Sequence, residues 1–205
     1  MGKNIGLIPL GFTEIWSASF NSAIIISAGD NAEFIAFCGI NLDITIFNKE
    51  NVYLPAFLKT YPFLNVEVEN KDKKVNSLIA IDNNPKYVAK DKKIFILDKE
   101  KNLSKQTASK VELIKELNSQ RAVCRRIIAE LKKLDLLIKK DLRVKIEGKE
   151  EKVILEEFYV INMEKLLKLD DKIIAGFARK GWMGIFDAHL KSIKKKKKIL
   201  RLNFK

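Results

Sequence analysis

Short apolar runs separated by turn residues dominate the first half of the chain. Residues 23–26 form a short apolar run rich in β-branched residues, and residues 33–37 form a second run after a turn signal. Residues 41–47 alternate between apolar and polar residues. Apolar runs of this length, with clear alternation in the last one, are typical of β-strands. The pattern therefore predicts three strands joined by tight turns, which favours an antiparallel sheet. Further short strands are predicted at residues 63–68, 78–81 and 94–97.

A helical spacing of apolar residues follows these strands. The residues on the shared face are Leu113, Leu117, Cys124, Ile127, Ile128, Leu131, Leu134 and Ile138. With Ser104 as N-cap, the spacing predicts one long amphipathic helix over residues 104–140. Gln120 interrupts the apolar stripe, so we expect this helix to pack within the fold, with a coiled-coil dimer as the alternative. A shorter helix is predicted between Pro55 and Pro62.

The last third of the chain alternates again and then returns to helical spacing. Residues 142–146 and 153–160 predict a hairpin around Gly148. Helix boundaries are then predicted at Asn162, at Asp170 or Asp171, at Gly181 and at about Leu190. The sum is an α+β fold: N-terminal antiparallel strands with a short helix, one long amphipathic helix, a further hairpin and C-terminal helices. We expect a single domain over residues 1–193 and a basic tail over residues 194–205.

Positive charge is in excess, with a formal net charge of +13, and lysine supplies most of it. A composition rich in lysine, isoleucine and asparagine explains this charge without a partner, whereas an anionic partner is the functional explanation. The densest positive run is Lys194, Lys195, Lys196, Lys197 and Lys198. This run is a candidate site for nucleic acid or for an anionic membrane surface, and a solvated tail is the alternative.

Two cysteines, Cys38 and Cys124, form neither a metal-binding spacing nor a redox motif. Both lie among apolar neighbours, so we expect buried free thiols and a reducing compartment. The first residues do not read as a secretory signal, and no apolar run approaches the roughly 20 residues of a membrane span. These features predict a cytoplasmic protein, and neither a metal nor a cofactor is expected.

Few side chains offer catalytic chemistry. His189 is the single histidine, so a two-histidine metal site is not expected. Glu156 and Glu157 are adjacent in a predicted strand and should point to opposite faces, while helix capping accounts for Asp170 and Asp171. We find no glycine-rich phosphate loop and no nucleophile elbow. The sequence therefore assigns no catalytic residue and favours a non-enzymatic function.

Aromatic residues cluster around the predicted short helix. Tyr53, Phe57 and Tyr61 are spaced by four residues, so they share a helix face. The candidate ligand-binding residues are Tyr53, Phe57, Tyr61, Phe63, Trp182 and His189. We predict that they wall a pocket in which tyrosine hydroxyls supply polar groups, and a packed core is the alternative.

The aromatic segments resemble the signatures of the SapC family of bacterial proteins. The matching segments are YLPAF at residues 53–57, YPF at 61–63, GWM at 181–183 and AHLKS at 188–192. Their order is similar to that of the family over about residues 5–193. Lys59 and Thr60 stand where the family has paired arginines, so a bidentate anion grip is not expected there.

What the resemblance implies about function is modest. The family takes its name from bacterial surface-layer (S-layer) protein systems, and no particular reaction comes with that name. We therefore expect an accessory factor that binds a peptide or protein and is linked to S-layer proteins. One alternative is an enzyme or accessory subunit that acts on aromatic or peptide substrates. The other is a basic protein that binds nucleic acid or a membrane surface.

Overall fold

The computed structural model describes residues 6–39, 51–69, 75–84, 95–144 and 152–194 of the chain. The chain divides into a larger unit, Met1–Pro55 with Gln120–Lys205, and a smaller unit, Ala56–Ser119. Antiparallel strands and helices are both present, so the predicted α+β class is confirmed. Two compact units can belong to one domain or to two, so this division does not decide the number of domains. The single domain over residues 1–193 stays a prediction.

Thirteen helices and strands are described, together with one 3-10 turn, Phe12–Glu14. The strands are β1 (Gly6–Pro9), β2 (Ala23–Ile26), β3 (Phe34–Gly39), β4 (Phe63–Glu69), β5 (Val75–Ile81), β6 (Leu137–Val144) and β7 (Lys152–Ile161). The helices are α1 (Ile15–Ser19), α2 (Ala56–Lys59), α3 (Lys105–Lys133), α4 (Met163–Leu166), α5 (Asp171–Arg179) and α6 (Trp182–Lys194).

A sheet with the strand order β1-β3-β2-β7-β6 forms in the larger unit, and each of its described pairings is antiparallel. Strand β2 is buried at every residue, which explains its uninterrupted β-branched sequence. On one face of the sheet, Phe34 contacts α6 with its ring centroid 6.1 Å from that of His189. On the other face, a buried hydrophobic cluster is formed by Ala23, Ile25, Phe37, Leu142 and Phe158.

The predicted hairpin in the last third is confirmed, and it is longer than predicted. Strands β6 and β7 pair from Leu137 opposite Ile161 to Val144 opposite Lys152. Gly148 lies outside the described residues.

The caps predicted from sequence are confirmed at three helices. The Ser104 hydroxyl accepts the Thr107 N–H at the start of α3, and the Asn162 amide oxygen accepts the Lys165 N–H at the start of α4. The Asp170 carboxylate accepts the Lys172 N–H at 2.8 Å and so begins α5. Each cap satisfies an N–H group that has no acceptor inside its own helix.

The long helix was predicted to continue to residue 140, and this was wrong. Helix α3 ends at Lys133, and Asp135 follows with a φ of 51°. The Leu136 N–H then bonds the Leu131 carbonyl, and the Asp135 N–H bonds the Lys132 carbonyl. This pair of bonds is a Schellman motif, in which the left-handed residue closes the helix. Aspartate rather than glycine occupies that position, so the usual stop signal is absent from the sequence.

Two further strand predictions have different outcomes. The strand predicted at residues 94–97 was wrong for its described part, because Leu97 makes only an isolated bridge with Leu103. The strand predicted at residues 41–47 lies outside the described residues. Within the described residues, none of the helices combines the length and apolar character that crossing a bilayer requires.

Candidate functional site

Tyr53 serves as a hydrogen-bond donor to a buried carboxylate of the larger unit. Its hydroxyl donates to Glu14 Oε1 at 2.9 Å, while the Gly11 N–H donates to Glu14 Oε2 at 2.9 Å. Burial raises the pKa of Tyr53 above its usual range, and the neighbouring Glu14 carboxylate adds to the rise. The tyrosine therefore stays protonated and keeps the Glu14 carboxylate fixed at the 3-10 turn.

Tyr61 ties the start of β4 to the end of β5 in the smaller unit. Its hydroxyl donates to Asp82, and this bond, with a second from the Asn84 N–H, lowers the pKa of the Asp82 carboxyl. The Lys110 ammonium donates to the carbonyls of Tyr61 at 3.0 Å and Lys59 at 2.5 Å. A side chain of helix α3 therefore hydrogen-bonds to the backbone at the start of the Tyr-Pro-Phe segment.

Strands β4 and β5 carry a row of exposed aliphatic side chains. Val66 lies opposite Leu78, and Val68 lies two residues further on the same face. Their exposed fractions are 39% for Val66, 54% for Leu78 and 43% for Val68. Phe63, on the opposite face, is buried. We call the row of Val66, Val68 and Leu78 the hairpin face.

The AHLKS segment of α6 supplies hydrogen-bond acceptors to two strands. Strands β2 and β7 pair at Ile26 and Tyr159 among the described residues. The Ser192 hydroxyl accepts the Ile24 N–H at 2.8 Å, and His189 Nε2 accepts the Ile161 N–H at 3.2 Å. Both side chains are fully buried. An unsatisfied buried N–H costs about 1–3 kcal/mol, so these two acceptors stabilise the sheet.

His189 is held as a neutral ring. Its Nε2 accepts a hydrogen bond, which assigns the proton to Nδ1, and Nδ1 has no hydrogen-bond partner among the described residues. Burial lowers the pKa of His189 to about 4, and the nearby Ile24 backbone raises this pKa by a smaller amount. This ring is not exposed to solvent, so its role as a ligand contact stays a prediction.

Trp182 stacks at the start of α6. Its ring lies 5.5 Å from that of Phe177 at an interplanar angle of 25°, and the Lys180 ammonium sits 4.6 Å from the Trp182 ring centroid. Gly181 precedes it with a φ of 72°, which glycine adopts without strain. The break predicted at Gly181 is therefore confirmed, and Trp182 remains partly exposed.

One charged cluster was missed by the sequence analysis. Glu33 is buried, and both Arg121 and Arg125 bind its carboxylate at 2.8 Å. The pKa of the nearby Cys124 thiol is raised to about 12, and burial is the largest cause. The Glu33 carboxylate adds to the rise, whereas the two arginines oppose it. The signal in the sequence was two arginines four residues apart, which share a helix face. Nothing in the sequence identified Glu33 as their partner.

The six candidate residues are divided between the two units. Tyr53, Trp182 and His189 belong to the larger unit, and Phe57, Tyr61 and Phe63 belong to the smaller unit. One shared aromatic pocket would need both sets, and it stays a prediction. Of the lysine run, Lys194 is exposed at the end of α6, and Lys195, Lys196, Lys197 and Lys198 lie outside the described residues. The cysteines are free and buried, as predicted.

Comparison with known proteins supports the resemblance noted in the sequence. Neither the curated proteins nor the solved structures contain a match to this chain. A family model described as SapC matches residues 1–199 of the 205. That match covers nearly the whole sequence and includes all four signature segments. The chain therefore belongs to the SapC family.

Proposed function

We propose that this chain is a non-enzymatic binding protein that recognises a peptide or protein segment at the hairpin face. The observation that supports the proposal is the exposure of Val66, Val68 and Leu78 in one row. When a partner covers aliphatic side chains that were in contact with water, the free energy falls by about 25 cal/mol per Å² of buried apolar area. An exposed apolar row therefore favours a partner with apolar side chains.

The structure around the hairpin face suits a rigid binding surface. The Tyr61–Asp82 hydrogen bond closes the open end of the hairpin, and the Asp82 N–H bonds the Pro62 carbonyl at 2.9 Å. A two-stranded hairpin by itself is marginally stable in water, so these two hydrogen bonds help to keep its strands paired. The YPF segment thus fixes the open end of the hairpin, and its Phe63 lies on the face opposite the hairpin face.

The finer parts of the proposal come from the family. We propose that the bound segment belongs to a bacterial surface-layer protein and that binding takes place in the cytoplasm, before export. The family name supports the first part. The buried free thiols Cys38 and Cys124 are compatible with the second, because such thiols are usual in reducing compartments.

Titration of short, overlapping, fluorescently labelled peptides from a bacterial surface-layer protein tests this proposal. The test variant combines Val66→Lys with Leu78→Lys, and the matched control is Leu167→Lys, at a residue that is 66% exposed in the larger unit. We expect at least one peptide to bind, and the double variant to weaken its affinity about tenfold or more while the control does not. Absence of binding at high micromolar concentrations, or equal binding by the double variant, would refute the proposal.

A further inference from the structure

The pairing of β4 with β5 decides which backbone groups point away from the hairpin. The Asp82 N–H donates to the Pro62 carbonyl at 2.9 Å, and this pair continues the register of the two strands. It is therefore a hydrogen-bonded pair, and such pairs alternate with non-hydrogen-bonded pairs along an antiparallel ladder. Counting back from Asp82, the N–H and C=O groups of Ile81, Ile79 and Ser77 point away from β4. We call these outward groups the β5 edge.

The β5 edge has no partner strand in the described part of the chain. Strand β5 pairs there with β4 alone, and no backbone hydrogen bond among the described residues reaches the outward groups of Ser77, Ile79 or Ile81. Residues 75–81 also contain no charged residue and no proline, the two residue types that commonly prevent an exposed edge from pairing. The β5 edge therefore offers alternating donors and acceptors to another strand.

The outer edge of β4 differs in both respects. The Phe63 N–H on this edge already donates to the Thr60 carbonyl at 3.0 Å. Glu67 is exposed at an outward position further along, and Glu69 follows two residues later. Carboxylates at outward positions protect an edge strand against pairing. The two edges of the hairpin are therefore not equivalent, and a partner strand is expected at β5.

A strand added to β5 would place its side chains on both faces of the sheet. Those beside Leu78 would lie on the hairpin face, where apolar side chains extend the exposed row. On the opposite face, the neighbour is Ser77, and Glu67 lies beyond it in register. Two strand spacings are about 9.6 Å, which extended lysine and glutamate side chains span together. The charge of Glu67 thus favours a basic residue on this second face of the added strand.

We propose that the partner binds in an extended conformation as a third strand along the β5 edge, with apolar side chains on the hairpin face and a lysine or arginine toward Glu67. The inference rests on the proposed function, because it states how a peptide recognised at the hairpin face is held. An extended backbone supplies donors and acceptors at the spacing of a strand edge. Its main chain then provides affinity, and side chains at every second position provide specificity.

A scan with N-methylated peptides tests the proposal on the wild-type protein. The probe is the surface-layer peptide that binds most tightly in the titration described above, resynthesised with one backbone amide methylated at a time. Methylation removes a donor and places a methyl group where β5 would lie. Because only every second residue of a strand faces its neighbour, we expect binding to weaken about tenfold or more at alternate positions and to change little at the positions between.

Two proline variants form a matched pair on the two edges. Ser77→Pro removes an outward N–H of β5, and Asn65→Pro removes an outward N–H of β4. Both variants lose the hydrogen bond that the Ser77 hydroxyl donates to Asn65 Oδ1, so they differ in the edge they block. We expect Ser77→Pro to weaken binding of the probe about tenfold or more, and Asn65→Pro to leave it unchanged.

A charge variant tests the basic residue of the partner. Glu67→Gln should weaken peptides that carry lysine or arginine on the second face by about two- to fivefold. Equal binding of these peptides by this variant would contradict the assigned charge.

The outcomes separate this inference from the proposed function. Binding without an alternating effect of N-methylation, or equal weakening by the two proline variants, would overturn the strand addition and leave a peptide held by its side chains alone. A peptide-free dimer in analytical ultracentrifugation that Ser77→Pro converts to a monomer would assign the β5 edge to a second copy of this chain. Absence of peptide binding by the wild type would overturn both proposals.

Discussion

Acidification should destabilise this protein through His189. The folded chain holds the ring neutral with a pKa of about 4, whereas an unfolded chain has the ordinary value of 6.5. Between these two pH values the unfolded state binds more protons than the folded state, so stability is lost as the pH falls through this window. The full loss is about 3 kcal/mol below pH 4, and about 2 kcal/mol of it should be lost by pH 5.

The perturbation that isolates this effect is His189→Gln. A glutamine amide oxygen can reach the Ile161 N–H in place of Nε2, and it does not titrate. Urea unfolding at pH 7.5 and pH 5 measures the free energy of both proteins. Buried carboxylates contribute equally to each, so the wild type should lose about 2 kcal/mol more than the variant between the two pH values.

A direct measurement of the ring completes the test. His189 is the single histidine, so one imidazole signal in an NMR titration reports on it without assignment. We expect no titration of the folded protein near pH 6.5, and nitrogen shifts of a ring with its proton on Nδ1. A folded-state midpoint near 6.5, or an equal pH dependence of the wild type and the glutamine variant, would refute the reasoning.

Further predictions concern stability around the 3-10 turn and the thiols. Tyr53→Phe removes the donor to Glu14 Oε1 and should lower the free energy of unfolding by about 1–2 kcal/mol in urea titrations. A side chain at Gly11 would meet Gln120, with 3.0 Å between their Cβ atoms, so Gly11→Ala should cost about 1–3 kcal/mol. Its control, Gly184→Ala, meets open space and should stabilise α6 by about 0.5–1 kcal/mol; the opposite order of the two alanine variants would contradict this. Both cysteine thiols have a pKa raised by burial to about 12, so a thiol reagent at pH 8 should modify them only in urea.

Local sequence determined where several helices begin and where the chain turns. Ser104, Asn162 and Asp170 cap helices because a short polar side chain can reach the N–H groups just after it. Gly181 breaks the chain because it adopts a positive φ without strain. The β-branched run of β2 was equally clear, since a strand buried on both faces has no polar positions. Interactions of this kind span only a few residues, so they can be recognised along the chain.

Tertiary structure decided the features that depend on residues far apart in sequence. Leu137–Val144 forms β6 rather than more of α3, because pairing with β7 outweighs a helical spacing that Ile138 also fits. Glu33 meets arginines about 90 positions later, and His189 serves as an acceptor for a strand 28 positions earlier. A sequence shows that a side chain can accept a hydrogen bond, but only the folded chain selects its donor. The SapC signatures were therefore recognisable from sequence, whereas the roles of Tyr53, Ser192 and His189 were not.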